Sequence, residues 1–328
     1  MNLELKENLQ INKVIVALSF ICAALSIFVV SFGEFFVPFP AALLSIIILL
    51  EEGRKRIFSI LLSAYFVLLN LLAIFLMDAF IFSGLEVVLL SIALSICFSK
   101  KVSKFESAFA LCCIAVAFIF LNAMFFAMTY TREYSFESVS VFYNDLYSGI
   151  KSLFLSSLSD LRSALPEQSA VALLSSDNLI AVLDSIVALI PSYVALIAFA
   201  VAGITLKVFS FTAFKLTGNS ECVKTWRFNP SSVYAYFYLA LFLLTVFVGS
   251  TGSLIAVSVA NLSNIFGIVF AYVGFVFVQT LLSAKHSPIF SFALLLLGLV
   301  LFSSLMIEIL SVIGAFVTLS NNKLASKK

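Results

Sequence analysis

The sequence predicts an all-α fold, a polytopic integral membrane bundle of about eight to ten transmembrane helices. The chain has 328 residues, of which 62% are hydrophobic and 11% are charged. A soluble domain carries about 25% charged residues, and the mean hydropathy of this chain is +1.17. These values exclude a soluble enzyme and a disordered protein. The formal net charge is only +2, so we expect no nucleic-acid partner.

Residues that usually bind metals are few and scattered. Five cysteines lie in or beside apolar runs without a C-x-x-C spacing, and there is a single histidine, His286. We therefore expect neither a disulfide framework nor a metal site. The G-x-x-x-x-G-K-[ST], G-x-S-x-G and H-E-x-x-H motifs do not occur. We accordingly expect no cofactor and no catalytic residues, in a protein that is not an enzyme.

Apolar runs of transmembrane length follow one another along the chain. About 20 apolar residues in a helix cross the ~30 Å hydrocarbon layer, where every backbone polar group needs an internal partner. Residues 57–99 form a run of twice that length, and Asp78 near its middle predicts a turn between two helices. The other predicted spans are residues 14–32, 35–50, 107–128, 191–214, 232–248 and 264–283.

The last apolar run, residues 289–319, allows two interpretations. It is long enough for one tilted helix, but Gly298, Ser303 and Ser304 interrupt it, and we favour a hairpin of two short helices. A hairpin would leave the basic tail in the cytoplasm, whereas a single crossing would place the tail outside. Glu308 lies well inside this run. In a single helix it would be buried and would need a partner.

Basic residues are clustered in alternate loops. Clusters lie at residues 54–56, 100–104 and 215–227, whereas the connections around Glu34 and Gly252 have no lysine or arginine. Because positive loops stay inside, the amino terminus is predicted to be cytoplasmic.

The third basic cluster also contains the sole tryptophan of the chain. Trp226 lies between Lys224 and Arg227. Indole rings prefer headgroup depth, so these three residues are predicted to anchor the link at the membrane interface.

One long connection divides the chain into three parts: a five-span membrane unit, residues 1–128; an extracytoplasmic amphipathic helical segment, residues 129–190; and a second membrane unit, residues 191–328. In the middle part, Leu146, Ile150 and Phe154 recur at helical intervals, and Pro166 ends the pattern. A second helix is predicted after Asp177 as its N-cap. These helices could lie on the outer membrane surface, cover a substrate cavity or bind a protein partner.

A few polar side chains lie inside the apolar runs. An ionisable group costs roughly 2.5–3.5 kcal/mol at the bilayer centre on insertion scales, so each is a candidate for function. Amides in spans also serve simply to join helices, at about 0.6 kcal/mol each. The candidate ligand-binding residues are Glu86, Asn70, Asn122, Gln279 and Glu308.

Four segments in order along the chain resemble the YybS-like family of bacterial membrane proteins, a domain of unknown function. They are FFVPFPAALLSI (35–46), ALIPSYVALIAFAVAGITLKV (188–208), VKTWRFNPSSVY (223–234) and FVQTLLSAKH (277–286). The resemblance implies a protein of the bacterial cytoplasmic (inner) membrane.

The amino-terminal half of that family is similar to the S components of energy-coupling-factor transporters. The resemblance implies small-molecule binding for uptake, with a coupling transmembrane subunit and ATPases as partners besides the lipid bilayer. Two alternatives stay open. One is a membrane scaffold or assembly factor that binds a protein partner through its outer loop or cytoplasmic links. The other is an intramembrane enzyme for lipid-linked substrates, which would need Glu86 or Glu308 to meet another polar residue in one cavity.

Overall fold

The computed structural model describes residues 2–51, 56–76, 82–164, 176–217, 230–248 and 254–325. In these ranges the chain forms α-helices and one short 3-10 turn, Gly33–Phe35. The helices are α1 (Asn2–Phe32), α2 (Pro38–Leu50), α3 (Ile57–Leu76), α4 (Ser83–Ser99), α5 (Lys104–Thr131), α6 (Phe136–Ala164), α7 (Ser176–Ala188), α8 (Ile190–Thr217), α9 (Ser232–Val248), α10 (Leu254–Ser283) and α11 (Pro288–Ala325).

The predicted all-α membrane fold is confirmed. Within the described chain, α1, α5, α8 and α10 contain stretches long and apolar enough to cross a membrane. Shorter apolar helices lie between them, including α2, α3, α4 and α9. Large apolar side chains cover much of the surface, as with Phe75 in α3 and Phe247 in α9. Such a surface suits lipid, because water would not solvate it.

Most predicted spans coincide with a helix, but some boundaries move. The run 57–99 forms two helices as predicted, and the turn at Asp78 lies outside the described residues. The span predicted from residue 264 begins ten residues earlier, at Leu254. The amphipathic helix predicted before Pro166 begins at Phe136. Asp177 lies in the first turn of α7, which begins at Ser176, so it is not the N-cap.

Residues 289–319, for which the sequence favours a hairpin of two short helices, lie in one continuous helical stretch, α11, whose contacts fold it back on itself as a hairpin would. The helix is not straight. A Cβ atom on Gly298 would lie 3.4 Å from Cε of Met306, whereas residues eight apart in a straight helix are separated by about 12 Å. The two residues therefore lie on either side of a bend.

Contacts with α10 confirm that α11 bends sharply. The Phe292 ring lies 5.9 Å from the Phe275 ring. A Cβ atom on Gly274, the residue before Phe275, would lie 3.1 Å from the Gly314 nitrogen. Phe292 and Gly314 would be roughly 33 Å apart in a straight helix. Both could not then contact neighbouring residues of α10.

The described chain forms two compact units. The first comprises residues 1–95, 111–190 and 201–209, and the second comprises residues 96–110, 191–200 and 210–328. The boundaries of these two units follow the packing of the helices within each unit. The three-part division drawn from the sequence stays a prediction.

In the first unit, serine side chains join α2 to α4. The Ser91 hydroxyl donates to the Ala41 carbonyl at 3.0 Å, and the Ser45 hydroxyl donates to the Ser91 carbonyl at 3.1 Å. One turn further, the Ser95 hydroxyl donates to the Ser45 carbonyl at 3.2 Å. Small side chains allow such close backbone approach and also supply hydrogen bonds that lipid cannot.

In the second unit, α10 and α11 touch through their backbones at Gly274 and Gly314. A Cβ atom on Gly314 would lie 2.8 Å from the Gly274 nitrogen and would overlap the Phe270 carbonyl. Beside this crossing, the Tyr238 and Ser311 hydroxyls form a buried hydrogen bond of 2.5 Å. Side-chain size therefore sets the distance between these two helices.

Candidate functional site

The start of α4 is held by side chains from two other helices. A helix leaves its first four backbone N–H groups without intrahelical partners. The N–H of Gly84 donates to Oδ1 of Asn70 in α3 at 3.0 Å. The N–H of Phe82 donates to Oδ1 of Asn122 in α5, also at 3.0 Å. Asn70 and Asn122, both predicted as candidate ligand-binding residues, therefore cap the same end of α4.

Gly84 permits this arrangement because it has no side chain. A Cβ atom there would overlap the backbone carbonyl of Phe66 in α3 and would lie 3.0 Å from Oδ1 of Asn70. Phe66 is itself completely buried. The backbone of α4 thus lies directly on α3, which brings the Gly84 N–H within reach of the amide.

Glu86 lies in the first turn of α4 and is completely buried. Its backbone N–H donates to the Phe82 carbonyl at 2.9 Å, so the turn carrying the carboxyl is the turn that Asn122 caps. The partial positive charge at a helix amino terminus favours a carboxylate there. The two predicted amides therefore position the backbone of the turn that carries the sequence-predicted acid.

Ser83 lies beside Glu86 on the same helix face, since residues three apart are neighbours on a helix. Its side chain is buried, and its hydroxyl has no hydrogen-bond partner among the described residues. We call Glu86, Ser83, Asn70 and Asn122 the α4 cluster. It combines a carboxyl group, a hydroxyl group and two amides. A small polar molecule or a cation could be bound by such groups.

The other two candidate residues do not belong to this cluster. Glu308 is exposed on the surface of α11, and its part in ligand binding stays a prediction. Its backbone carbonyl accepts a hydrogen bond from the Ser311 hydroxyl at 2.7 Å. Gln279 is half-buried in α10. Both residues lie in the second unit, whereas the α4 cluster lies in the first.

Two buried polar side chains with structural roles were missed from the sequence. Glu51 follows α2 and caps α3, because its carboxyl oxygens accept the N–H groups of Phe58 and Ser59, each at 2.9 Å. Asn261 in α10 accepts the Ser192 N–H at 3.1 Å and the Ser192 hydroxyl at 2.6 Å, near the start of α8. A polar residue at the end of an apolar run is a weak signal for such capping.

The amphipathic helix α6 is fixed to the end of α5. The Tyr143 hydroxyl donates to the Ala123 carbonyl at 2.9 Å, and burial raises the pKa of Tyr143. Further along, the Tyr147 hydroxyl donates to Asp184 in α7. This hydrogen bond is the main reason that the pKa of Tyr147 lies above its ordinary value.

Other predictions about sites remain untested. The interface anchors Lys224, Trp226 and Arg227 lie outside the described residues. In the part of the chain that the structure describes, no three His, Cys, Asp or Glu residues are grouped so that they could hold a metal ion. The expectation of no metal stays a prediction.

The fold and the buried polar cluster define a polytopic helical membrane protein. Residues 14–316 match the family model described as a predicted membrane protein, DUF2232. The chain therefore belongs to the DUF2232 family. No curated protein matches the chain, and no protein of solved structure matches it. The likeness to S components consequently finds no support in these comparisons.

Proposed function

We propose that this protein binds a small polar molecule in the membrane and takes part in its uptake, in the manner of a transporter S component. The observation that carries the proposal is the α4 cluster. The completely buried Glu86 lies on a turn that Asn122 caps, and Asn70 caps the same helix end. The catalytic motifs are missing, which supports a binding role rather than an enzymatic one.

The free-energy cost of placing the Glu86 carboxyl inside a membrane span also favours a binding role. A carboxyl group inside a span costs roughly 2.5–3.5 kcal/mol on insertion scales. Packing of α4 against α2 is already provided by the serine hydrogen bonds, such as that from Ser91 to Ala41. Recognition of a donor group on a ligand would use the carboxyl group at position 86.

The proposal also includes a location and partners. The basic loops at residues 54–56 and 100–104 support a cytoplasmic amino terminus, and the membrane would be the bacterial inner membrane. Uptake would need energy from elsewhere, because the chain has no nucleotide-binding motif. A coupling transmembrane subunit with ATPases would supply it.

A ligand screen on the full-length protein in nanodiscs tests the proposal. We expect one member of a panel of vitamins to raise the unfolding temperature. A ligand at 100 times its Kd stabilises by about 2.7 kcal/mol. Glu86→Gln should abolish this stabilisation. Glu133→Gln should retain it, because Glu133 is exposed in the link between α5 and α6. Equal loss in both variants, or stabilisation unchanged in Glu86→Gln, would contradict the proposal.

The scaffold alternative is favoured by one observation, the exposed apolar side chains of α6. Leu153 is 68% exposed, and a protein partner could cover it. A photo-crosslinking residue at position 153 in living cells distinguishes the two functions. A single protein adduct in high yield would favour the scaffold, whereas adducts with lipid alone would count against it.

A further inference from the structure

The apolar face of α6 is exposed over several turns. Leu146, Ile150 and Leu153 recur at intervals of four and three, and each is about half exposed or more. Serines such as Ser152 occupy other sides of the helix. An exposed apolar helix face of this kind is stable when it packs against lipid or against another apolar surface.

The same helix begins at the end of a membrane-spanning one. Only four residues separate the end of α5 at Thr131 from the start of α6 at Phe136. Three aromatic residues around this link are strongly exposed, namely Tyr130 (72%), Tyr134 (67%) and Phe136 (79%). Aromatic side chains of this kind are enriched at the depth of the lipid headgroups.

A groove connects the exposed face of α6 to the exposed end of α5. It has a volume of about 440 Å³, and its walls include Tyr130 from α5 and Leu146, Ile150 and Leu153 from α6. The Phe142 ring lies 5.1 Å from the Tyr130 ring and fixes the two helices together. The groove thus joins the end of a membrane span to the apolar face of α6.

We propose that α6 lies in the headgroup region of the leaflet where α5 ends, with Leu146, Ile150 and Leu153 inserted among the acyl chains. Lipid is the partner because the face continues the lipid-facing surface of α5. One basic residue beside this face suits that depth as well. The Lys151 ammonium lies 5.8 Å from the centre of the Tyr147 ring, and a long basic side chain can reach the headgroups while its stem stays apolar.

Quenching by brominated lipids tests this placement in the full-length protein. The sole tryptophan is removed by Trp226→Phe, and one tryptophan is introduced by Ile150→Trp or, as the matched control, by Ser152→Trp. Both positions are exposed on α6, and two residues place them about 200° apart around the helix. The protein is reconstituted in phosphatidylcholine vesicles with or without bromine on the acyl chains.

We expect the introduced tryptophan at position 150 to lose about half of its emission, because an interfacial helix buries its apolar face by about 5–10 Å. The tryptophan at position 152 should lose little. Equal quenching at both positions, or none at either, would overturn the proposal. Emission at position 150 that is blue-shifted but not quenched would also overturn it, because a protein surface would then cover the face.

Discussion

Gly84 sets how closely α4 approaches α3, and through that contact it sets the geometry of the α4 cluster. An added methyl group would meet the Phe66 carbonyl, which is backbone and cannot rotate away. We predict that Gly84→Ala lowers the free energy of unfolding by about 1–3 kcal/mol, the usual cost of overpacking. Thermal unfolding in detergent measures the effect.

Gly203→Ala is the matched control, because a Cβ atom there would meet nothing within 4 Å. Alanine is the better helix former by roughly 0.5–1 kcal/mol, so this variant should be as stable as the native protein or slightly more stable. Equal unfolding temperatures for the Gly84 and Gly203 variants would show that α4 does not lie against α3 as described.

The individual polar residues were partly predictable from the sequence. Glu86, Asn70 and Asn122 stand out because polar side chains are rare in apolar runs. That these residues meet at one helix end could not be predicted. Asn122 accepts a hydrogen bond from the backbone N–H of Phe82, which lies 40 residues away in the sequence. Gln279 stands out in the same way, yet it lies in the other unit. Polarity indicates that a residue needs a partner but does not identify the partner.

At the scale of elements, the crossing of α10 and α11 depends on glycine. We predict that Gly274→Ala destabilises the protein by about 1–3 kcal/mol or more, because the added methyl group meets the Leu310 carbonyl and forces the helices apart. Gly267→Ala in the same helix is the control, since its Cβ atom would lie an ordinary 3.5 Å from the Tyr238 ring. Unfolding temperatures that fall equally in both variants would contradict a specific crossing at Gly274.

The contact between α6 and α7 should be sensitive to alkaline pH. The hydrogen bond to Asp184 raises the pKa of Tyr147 above its ordinary value of 10.0. A raised folded-state pKa means that the contact contributes fully below pH 10 and is lost as the pH rises through the raised value. We predict that the distribution of distances between spin labels at Ser148 and Ser185 is narrow below pH 10 and broadens as the pH rises through the raised pKa of Tyr147.

Tyr147→Phe provides the control for this pH effect, because phenylalanine cannot donate the hydrogen bond to Asp184. Its distance distribution should be broad already at neutral pH and should not change on alkalinisation. A distribution that stays narrow at every pH in both proteins would show that the hydroxyl does not hold α7 against α6.

The helices themselves were predicted more accurately than their ends. Hydropathy locates α5 and α8 because lipid selects continuous apolar runs. It misses the first ten residues of α10, where Asn261 is polar yet buried against Ser192. For residues 289–319 the interrupting Gly298 and serines predict that the chain folds back, and the contacts of Phe292 and Gly314 with α10 agree.

At the scale of the whole molecule, the composition determines the environment and the packing determines the site. A chain with 11% charged residues has to lie in a membrane, and the family match over residues 14–316 agrees with that assignment. Function then depends on the few polar groups that packing brings together. In the α4 cluster, packing brings a buried carboxyl group near other polar side chains. The proposed role of this cluster is ligand recognition.

Hydrogen–deuterium exchange of the peptide that contains residues 82–86 tests this role most directly. The full-length protein is compared with and without a compound that stabilises it. We predict slower exchange at the start of α4 when the ligand is bound, in the native protein and in Glu133→Gln but not in Glu86→Gln. Protection confined to other segments, or the failure of every compound in the panel to stabilise the protein, would contradict a binding site at Glu86.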